Sequence, residues 1–203
     1  MSDPSWNERY DSADYLFGTE PNRWLVRQAP LLRPNSRVLC VADGEGRNSV
    51  WLAEQGHQVD AFDPSPTALA KARRLAQQRG VLVNGAEAGV EDFVWPQALY
   101  DAVVAIFVQF ATPDLRQRLF RLMAESLRPG GRLLLLGYSP DQLRHGTGGP
   151  KDPRQLYTPS QLRAELNPWL DIETLDEHEE VLVEGRGHHG LSALIGVVAR
   201  RLA

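Results

Sequence analysis

Short, mainly apolar runs alternate with longer amphipathic segments from Arg37 onward. The runs RVLCVA and QVDAF are followed by the segments SVWLAEQG and SPTALAKARRLAQQRG, respectively. Short apolar runs predict strands, and apolar residues at intervals of three and four predict helices. The second helix has a defined start and end, with Ser65 as N-cap, Pro66 at its first position and Gly80 after its last turn. The pattern therefore predicts a strand–helix–strand–helix unit.

The same alternation continues as far as Tyr138. The segment YDAVVAIFVQF is typical of a strand buried on both faces, and a helix begins at Thr112-Pro113-Asp114 with leucines at helical spacing. After Pro129-Gly130-Gly131, the segment RLLLLGY predicts a further strand. Because parallel strands need a crossover helix between them, the repeated order predicts an α/β fold with a doubly wound, mostly parallel sheet.

The alternation stops after Tyr138. Residues 139–157 are rich in glycine, proline and polar side chains, and a loop of this length is often functional. A short helix is predicted from Thr158, with Gln161 placed for a capping box. Two β-rich segments, 169–183 and 191–200, then predict an antiparallel pair that closes the sheet. We expect one domain over residues 1–203, with an N-terminal lid and helix (1–35), a ligand-binding core (36–137) and a C-terminal part (138–203).

Composition and charge narrow the range of partners. The 203 residues contain 42% hydrophobic and 24% charged side chains, which is average for a globular protein and argues against a disordered chain. The formal net charge of −4 gives no general attraction to nucleic acid or to anionic lipid, so we expect neither as a partner. The arginine-rich stretches 71–79 and 116–128 are typical of the solvated faces of amphipathic helices.

Cysteine content and the apolar runs bear on location. Cys40 is the only cysteine, so an intrachain disulfide is excluded, and residues 1–10 lack the apolar centre of a secretory signal. No apolar run approaches the roughly 20 residues that a membrane-spanning helix needs. We therefore expect a cytoplasmic protein without a membrane segment. The sequence leaves open whether the chain is a monomer or a homodimer.

Candidate ligand chemistry begins where the first strand meets the first helix. Gly44 and Gly46 lie at this junction, where bare backbone can approach a ligand and the helix N-terminus faces it. Asp63 ends the next strand about 20 residues on, where a carboxylate can accept hydrogen bonds from ribose hydroxyls. Together they predict a nucleoside-containing ligand. The alternative is structural: the glycines only make a tight turn, and Asp63 only caps the helix at Ser65.

The charge of the turn separates two kinds of nucleoside ligand. Asp43 and Glu45 stand on either side of Gly44. A carboxylate repels the pyrophosphate of a dinucleotide but attracts a sulfonium or an ammonium group. A dinucleotide site would also favour glycine or alanine at Ser49, so an NAD(P)-dependent oxidoreductase is the weaker alternative.

The chain resembles the class I S-adenosylmethionine (SAM) dependent methyltransferases. Their motifs I to V are matched by VLCVADGEGRNSVWLAEQG, DAFDPSPTALAKA, YDAVVAIF and LRPGGRLLLL. The phrases WNERYDSADYLFGTEPNRWL and GEGRN are similar to the branch that includes the tellurite-resistance and thiopurine methyltransferases. The matches span most of residues 6–137. The resemblance implies a seven-stranded Rossmann-like sheet, SAM as cofactor, S-adenosylhomocysteine (SAH) as product, and residues 36–137 as the SAM-binding core.

The resemblance also implies which residues contact SAM. Residues 43–46 would meet its methionine part, Asp63 its ribose and Phe107 its sulfonium, while residues 64, 89 and 90 would border the adenine. Positions 47 and 48 would fix the turn, and an N-terminal lid would cover it. The expected contacts are Asp43, Gly44, Glu45, Gly46, Arg47, Asn48, Asp63, Pro64, Gly89, Val90, Phe107, Tyr15, Phe17 and Gly18.

The chain departs from the usual family pattern at three positions. Ala42 stands where many members have the first glycine of GxGxG, and Cys40 where many have an acidic residue. Gly89 occupies a place where an aspartate commonly accepts a hydrogen bond from the adenine amine. That contact is then made by Glu91 or is absent.

The methyl acceptor is less well defined than the donor. Methyl transfer needs donor and nucleophile held in line, and a general base only for some acceptors. The strand end IFVQF lacks the NPPY-like phrase of many enzymes that methylate nucleic-acid amines, so we expect a small soluble acceptor. The resemblance points to a thiol or a chalcogen oxyanion. Candidate side chains on the acceptor side are Gln109, Tyr138, His145, Tyr157, Arg186, His188 and His189.

Simpler interpretations of the acceptor side stay open. Paired histidines in a glycine-rich turn are commonly a solvated hairpin tip, and residues 138–158 are equally typical of a flexible surface loop. Adjacent histidines lack the spacing of paired metal ligands, so we expect no metal. A non-catalytic SAM-binding module with a regulatory partner is a further alternative to an enzyme.

Overall fold

The computed structural model describes residues 4–202, which form two compact units. The first comprises the described residues up to Val94 together with Glu184–Gly187. The second comprises Trp95–Val183 and the described residues from His188 onward. The single-domain organisation expected from the sequence stays a prediction.

The first unit contains a parallel group of three strands. The strands are β1 (Arg37–Val41), β2 (Gln58–Asp63) and β3 (Val83–Glu87). The helices described in this unit are α1 (Pro4–Tyr10), α2 (Arg23–Gln28), α3 (Arg47–Glu54) and α4 (Pro66–Gln78). β2 lies in the middle, because Val59 is paired with Val38 of β1 and with Val83 of β3. The predicted strand–helix–strand–helix unit is confirmed.

The second unit contains both parallel and antiparallel pairs. Its strands are β4 (Tyr100–Ile106), β5 (Leu127–Tyr138), β6 (Leu170–Glu184, whose last residue belongs to the first unit) and β7 (His188–Arg201). Its helices are α5 (Pro113–Ser126), α6 (Gln142–His145) and α7 (Pro159–Leu166). Leu133 of β5 pairs in parallel with Val103 of β4, and Leu134 pairs antiparallel with Val198 of β7.

The seven strands follow the order β3-β2-β1-β4-β5-β7-β6. After β3 the chain returns to the middle of the sheet at β4, which is the doubly wound arrangement. The mostly parallel α/β sheet with a C-terminal antiparallel strand pair is therefore confirmed.

The helices begin where their capping residues predict. The Ser65 hydroxyl accepts the Ala68 N–H at 3.1 Å at the start of α4. Thr158 and Gln161 form the predicted capping box at the start of α7, with each side chain accepting the backbone N–H of the other residue. These local signals fix the helix starts because their hydrogen bonds satisfy N–H groups that the helix leaves free.

Two strands differ from the pattern expected. No apolar run marks β3, where Asn84 and Glu87 are exposed, so no sequence pattern predicts this strand clearly. The Pro129-Gly130-Gly131 turn lies inside β5 and shifts its register against β4. It acts as a bulge within one long strand instead of a turn before a short one.

Two cationic side chains lie inside the protein, where the arginine-rich pattern predicted solvated helix faces. Lys71 is 7% exposed and Arg116 is 4% exposed. Lys71 pairs with Glu45 at 2.7 Å, and Arg116 pairs with Glu165 at 2.9 Å. The prediction was wrong at these two residues, because a basic run does not show which of its members faces a buried carboxylate.

Candidate functional site

The glycine turn joins β1 to α3 through residues 42–46. Ala42, Gly44 and Gly46 have positive φ angles of 47°, 62° and 87°. A Cβ atom on Gly46 would lie 2.6 Å from the Cβ atom of Ala72 in α4, and one on Gly44 would lie 2.9 Å from the Tyr10 hydroxyl. Packing therefore explains why both positions are glycine, so the bare backbone alone does not identify a ligand.

Asp63 ties this turn to the start of α4. Its Oδ2 atom accepts the Gly44 N–H at 2.9 Å, and its Oδ1 atom accepts the Ser65 N–H at 2.9 Å. The side chain is 5% exposed, and burial raises its pKa although both hydrogen bonds oppose the shift. The carboxylate thus lies beside the glycine turn, as a nucleoside site requires, and it also organises the backbone before α4.

Asp43 places a second carboxylate at the turn. It is half-buried and accepts a short hydrogen bond from the Ser49 hydroxyl. Burial raises the pKa of Asp43 to about 6, and the negative charge of Asp63 adds to that effect, while Ser49 and Arg47 oppose it. A cation bound here would relieve the repulsion between the two carboxylates, because opposite charges attract strongly away from bulk water.

Glu45 is differently engaged from the other two acidic residues. It is 4% exposed, and its Oε1 atom accepts a hydrogen bond from Lys71 Nζ at 2.7 Å. Its Oε2 atom accepts the backbone N–H of Leu16 at 2.7 Å and that of Phe17 at 3.4 Å. The negative charge of Glu45 is therefore matched within the protein, whereas Asp43 and Asp63 form no ion pair among the described residues.

The expected lid residues occupy three different environments. The Tyr15 hydroxyl donates to the Lys71 carbonyl at 3.1 Å, so this ring packs on α4. The Phe17 ring lies in edge contact with Tyr10, 6.4 Å between centroids. Gly18 has a φ of 73° and lies against the backbone of Gly185. The segment is a packed part of the first unit.

Tyr10 is a residue that the sequence reasoning missed. It ends α1, is 6% exposed and lies over Gly44. Burial, followed by the negative charges of Asp63 and Glu45, raises its pKa, so the phenol stays protonated and can donate a hydrogen bond. The sequence signal for Tyr10 was its spacing from Trp6 in WNERY, because residues four apart lie on one face of a helix. In the structure the two rings are stacked.

A buried polar network surrounds the start of α3. Arg47 Nη2 donates to Glu184 Oε2 at 2.8 Å, and Asn22 Nδ2 donates to Glu184 Oε1 at 2.8 Å. Asn48 Oδ1 accepts the backbone N–H of Asn22 at 2.9 Å. Arg47 and Asn48 thus fix the turn by holding it to α2 and to the end of β6. No sequence pattern predicted the role of Glu184, because it lies 137 positions from Arg47.

The loop after β3 lies beside Asp63. The Ala88 N–H donates to the Asp63 carbonyl at 3.2 Å, and Val90 is 6% exposed. At Gly89, a Cβ atom would lie 3.3 Å from the Asp92 carboxylate. A carboxylate oxygen of Asp92 therefore lies close to Gly89. Contact of Glu91 with the adenine, or the absence of that contact, stays a prediction. Pro64 is half-buried after β2.

In the second unit, three aromatic side chains meet at Phe107. Phe107 follows β4 with a φ of 59°, which is uncommon for a bulky residue and is typical of functional positions. Its ring stacks on Tyr138 at 4.7 Å and meets His188 edge-on at 4.5 Å. His188 is 8% exposed. The fold therefore joins one of the candidate histidines to Phe107.

Gln109 and Tyr157 have structural partners in this unit. The Gln109 amide donates to the carbonyls of Tyr138 and Gln155, each at 2.9 Å, and accepts the Tyr138 N–H. Tyr157 is 1% exposed and packs edge-on against Phe120, and burial raises its pKa. Both side chains hold the loop after β5 in place.

Each of the remaining candidates is exposed or has another partner. His145 Nε2 is 2.8 Å from the exposed Glu179 carboxylate, and His189 is exposed. Arg186, in the first unit, is also exposed. Among the described residues, no group of three histidine, cysteine, aspartate or glutamate side chains is placed to hold a metal ion. No helix of the described chain has the length and apolar character to cross a membrane.

Comparison with known proteins identifies a methyltransferase domain. Residues 38–131, from β1 into β5, match the model of a methyltransferase domain. This match and the relative described next support a class I SAM-dependent methyltransferase. It is 35% identical over 138 residues to the demethylmenaquinone methyltransferase of Thermus thermophilus, covering 65% of this chain and 62% of that relative. It therefore spans less than two thirds of the relative's length.

Solved structures share this fold. One of them is described for the conversion of a disulfide bond into a thioacetal group in echinomycin biosynthesis. Its TM-score to this chain is 0.80 at 20% identity, and the match covers 97% of this chain and 88% of that chain. The N-methyltransferase NodS of Bradyrhizobium japonicum, solved with SAH, gives a TM-score of 0.74 at 15% identity, covering 98% of this chain and 97% of NodS. The tellurite and thiopurine branch stays a prediction.

Proposed function

We propose that this methyltransferase binds SAM at the glycine turn and moves its methyl group to a small acceptor. The observation that supports this most is the pair of carboxylates beside Gly44: Asp43, and Asp63, which accepts the Gly44 N–H. SAM supplies a methyl group on a cationic sulfur, and when the acceptor's lone pair bonds to the methyl carbon, the carbon–sulfur bond breaks and leaves neutral SAH.

Residues in and around the glycine turn have separate roles in this proposal. Asp63 Oδ1 and Oδ2 each accept one backbone N–H, and a carboxylate oxygen accepts more than one hydrogen bond, so Asp63 binds ribose hydroxyls while keeping the turn intact. Asp43, ionised above pH 6, attracts the cationic end of the donor. Gly89 and Val90, held beside Asp63, border the adenine. Tyr10 covers the turn.

The acceptor side of the proposal centres on the second unit. Phe107, Tyr138 and His188 form a cluster of rings with one buried imidazole. The imidazole of His188 can act as a base that removes a proton from a thiol or hydroxyl. We keep a thiol or a chalcogen oxyanion as the proposed acceptor class, and the net charge of −4 supports a small molecule over nucleic acid. A cytoplasmic location, supported by the single cysteine, completes the proposal.

Calorimetric titration of the protein with SAM, SAH and NAD tests the donor. We expect SAM and SAH to bind and NAD to give no heat. Binding of NAD without SAM would overturn the proposal.

Formation of SAH from SAM is then followed with a panel of thiols, selenium and tellurium oxyanions, quinols, phenols and amines. We expect turnover with a thiol or a chalcogen oxyanion. The T. thermophilus relative is named for a quinone precursor, which makes quinols the matched comparison within the panel. Binding of SAM without turnover on any acceptor would favour the non-catalytic module.

A further inference from the structure

The ion pair between Glu45 and Lys71 lies in an unusual position for two opposite charges. Their side chains are 2% and 8% exposed, and the charged atoms are 2.7 Å apart. Burying two charges is costly, and a pair of this kind is retained where its geometry organises other groups. Its surroundings therefore show what it organises.

Three consecutive residues of the N-terminal segment bond to Glu45 or Lys71, two of them through the charged side chains. Lys71 Nζ donates to the Asp14 carbonyl at 2.8 Å, and the Tyr15 hydroxyl donates to the Lys71 carbonyl at 3.1 Å. The Leu16 N–H donates to Glu45 at 2.7 Å. Residues 14–16 are thus held beside the glycine turn by hydrogen bonds to Glu45 and Lys71.

Leu16 also forms hydrogen bonds with residues that follow β6. Its carbonyl accepts the backbone N–H groups of Arg186 at 2.9 Å and Gly187 at 3.0 Å. The two segments are in close contact, because a Cβ atom on Gly185 would lie 2.4 Å from the Leu16 carbonyl oxygen. The tip formed by residues 184–187 is therefore anchored to the glycine turn through one residue, Leu16.

The carboxylate of Glu45 has little capacity left for a ligand. Lys71 matches its charge, and both of its oxygens accept hydrogen bonds from the protein. Because Lys71 already matches the charge of Glu45, a cationic donor is attracted to this carboxylate less than to Asp43 or Asp63. Asp43 and Asp63 do not face this competition, because the described structure pairs neither with a cation.

We propose that Glu45 is a positioning residue, which with Lys71 fastens residues 14–17 and the tip 184–187 around the glycine turn and does not touch the donor. The statement about the donor rests on the proposed function. The structural part of the proposal can be measured in the ligand-free protein, so the two parts fail separately.

Hydrogen exchange in the ligand-free protein tests the structural part. Glu45→Gln and Lys71→Gln are each expected to speed amide exchange at least tenfold in peptides that cover residues 14–18 and 184–188. Glu54→Gln is the matched control, since Glu54 makes only a 3.5 Å surface pair with Arg79 at the far end of α3. The double variant Glu45→Gln/Lys71→Gln, which leaves no unmatched buried charge, serves if a single variant fails to fold. Unchanged exchange at 184–188 in the foldable variants would overturn the proposal.

Donor affinity tests the second part. We expect Glu45→Gln to weaken SAM and SAH by the same factor, at least fivefold, and Lys71→Gln to weaken them to the same extent. A direct contact with the sulfonium predicts the opposite: loss of SAM affinity with SAH unchanged in Glu45→Gln, and no loss in Lys71→Gln. Absence of SAM and SAH binding in the wild type would reject the proposed function and leave the exchange result standing.

Discussion

Gly46 and Ala72 lie so close that a side chain at position 46 has no space. A Cβ atom built on Gly46 would be 2.6 Å from the Ala72 Cβ atom and 2.9 Å from its Cα atom. The second glycine of the turn therefore sets the distance between the start of α3 and α4. Ligand binding at the turn therefore depends on the close approach of α3 and α4.

We predict that Gly46→Ala lowers the free energy of unfolding by about 2–4 kcal/mol, from left-handed backbone strain plus overpacking. Gly80→Ala is the matched control, because Gly80 has a similar φ of 68° but no atom within 4 Å of the added Cβ. Its expected cost is about 1 kcal/mol. Urea denaturation of both variants measures the difference, and equal costs would show that α4 moves away freely.

At Ala42 the opposite substitution, alanine to glycine, is expected to stabilise the protein. Its φ of 47° is a conformation in which alanine is strained and glycine is not. We predict that Ala42→Gly raises the free energy of unfolding by about 1 kcal/mol. Ala53→Gly within α3 should lower it by about 0.5–1 kcal/mol, since glycine is unfavourable inside a helix. Thermal melts of the two variants should move in opposite directions.

SAM affinity should depend on pH through Asp43. Its pKa of about 6 in the ligand-free protein means that the carboxyl gains a proton as the pH falls through 6. A cationic ligand favours the ionised form, so affinity is expected to decrease by up to tenfold for each pH unit below 6. Calorimetric titration between pH 5 and 8 measures this, and Asp43→Asn should bind more weakly at pH 8 with a flatter profile.

Asp43 also affects stability, with a defined sign. Its folded-state pKa lies above the unfolded value of about 3.9, so ionisation is less favourable in the folded protein. Its contribution to the free energy of unfolding therefore falls as pH rises from about 4 to about 6 and is level above that. The difference in unfolding free energy between wild type and Asp43→Asn should change over this window, and a constant difference would argue against the raised pKa.

The Arg47–Glu184 pair should be important for stability. Arg47→Met leaves Glu184 without its buried cation and is expected to cost about 3–5 kcal/mol of unfolding free energy. Arg47→Met/Glu184→Leu should recover much of this loss. Arg79→Met, at a pair with an 81% exposed Glu20 side chain, is the surface control with an expected change below about 1 kcal/mol. Denaturant unfolding of the four proteins distinguishes these cases.

His188 and His189 should differ in their effect on turnover. His188 is buried against Phe107, whereas His189 is exposed. With the best acceptor of the panel, His188→Ala is expected to lower kcat by at least about tenfold, as loss of a general base does, while SAH affinity stays within twofold. His189→Ala should stay near wild type. Equal rates in both variants would exclude His188 as the base.

Much of the fold could be predicted from the sequence because its signals are local. Hydrophobic periodicity marked β1, α3, β2 and α4, and the capping residues Ser65 and Thr158 marked helix starts. The glycine turn and Asp63 could be placed together for the same reason, since parallel neighbouring strands end at one edge of a sheet. β3 was unclear, because an edge strand with polar residues has no apolar run.

By itself, then, the sequence determined the order of the elements, the doubly wound sheet and the acidic glycine turn. Only the tertiary structure decided how the acids in that turn are used. Asp43 and Asp63 form no ion pair in the described part of the chain, while Glu45 is matched by Lys71 and accepts the Leu16 N–H. The partners of Glu45 come from segments 29 positions before it and 26 after it, and hydrogen bonds across such distances arise from packing, which no local pattern encodes.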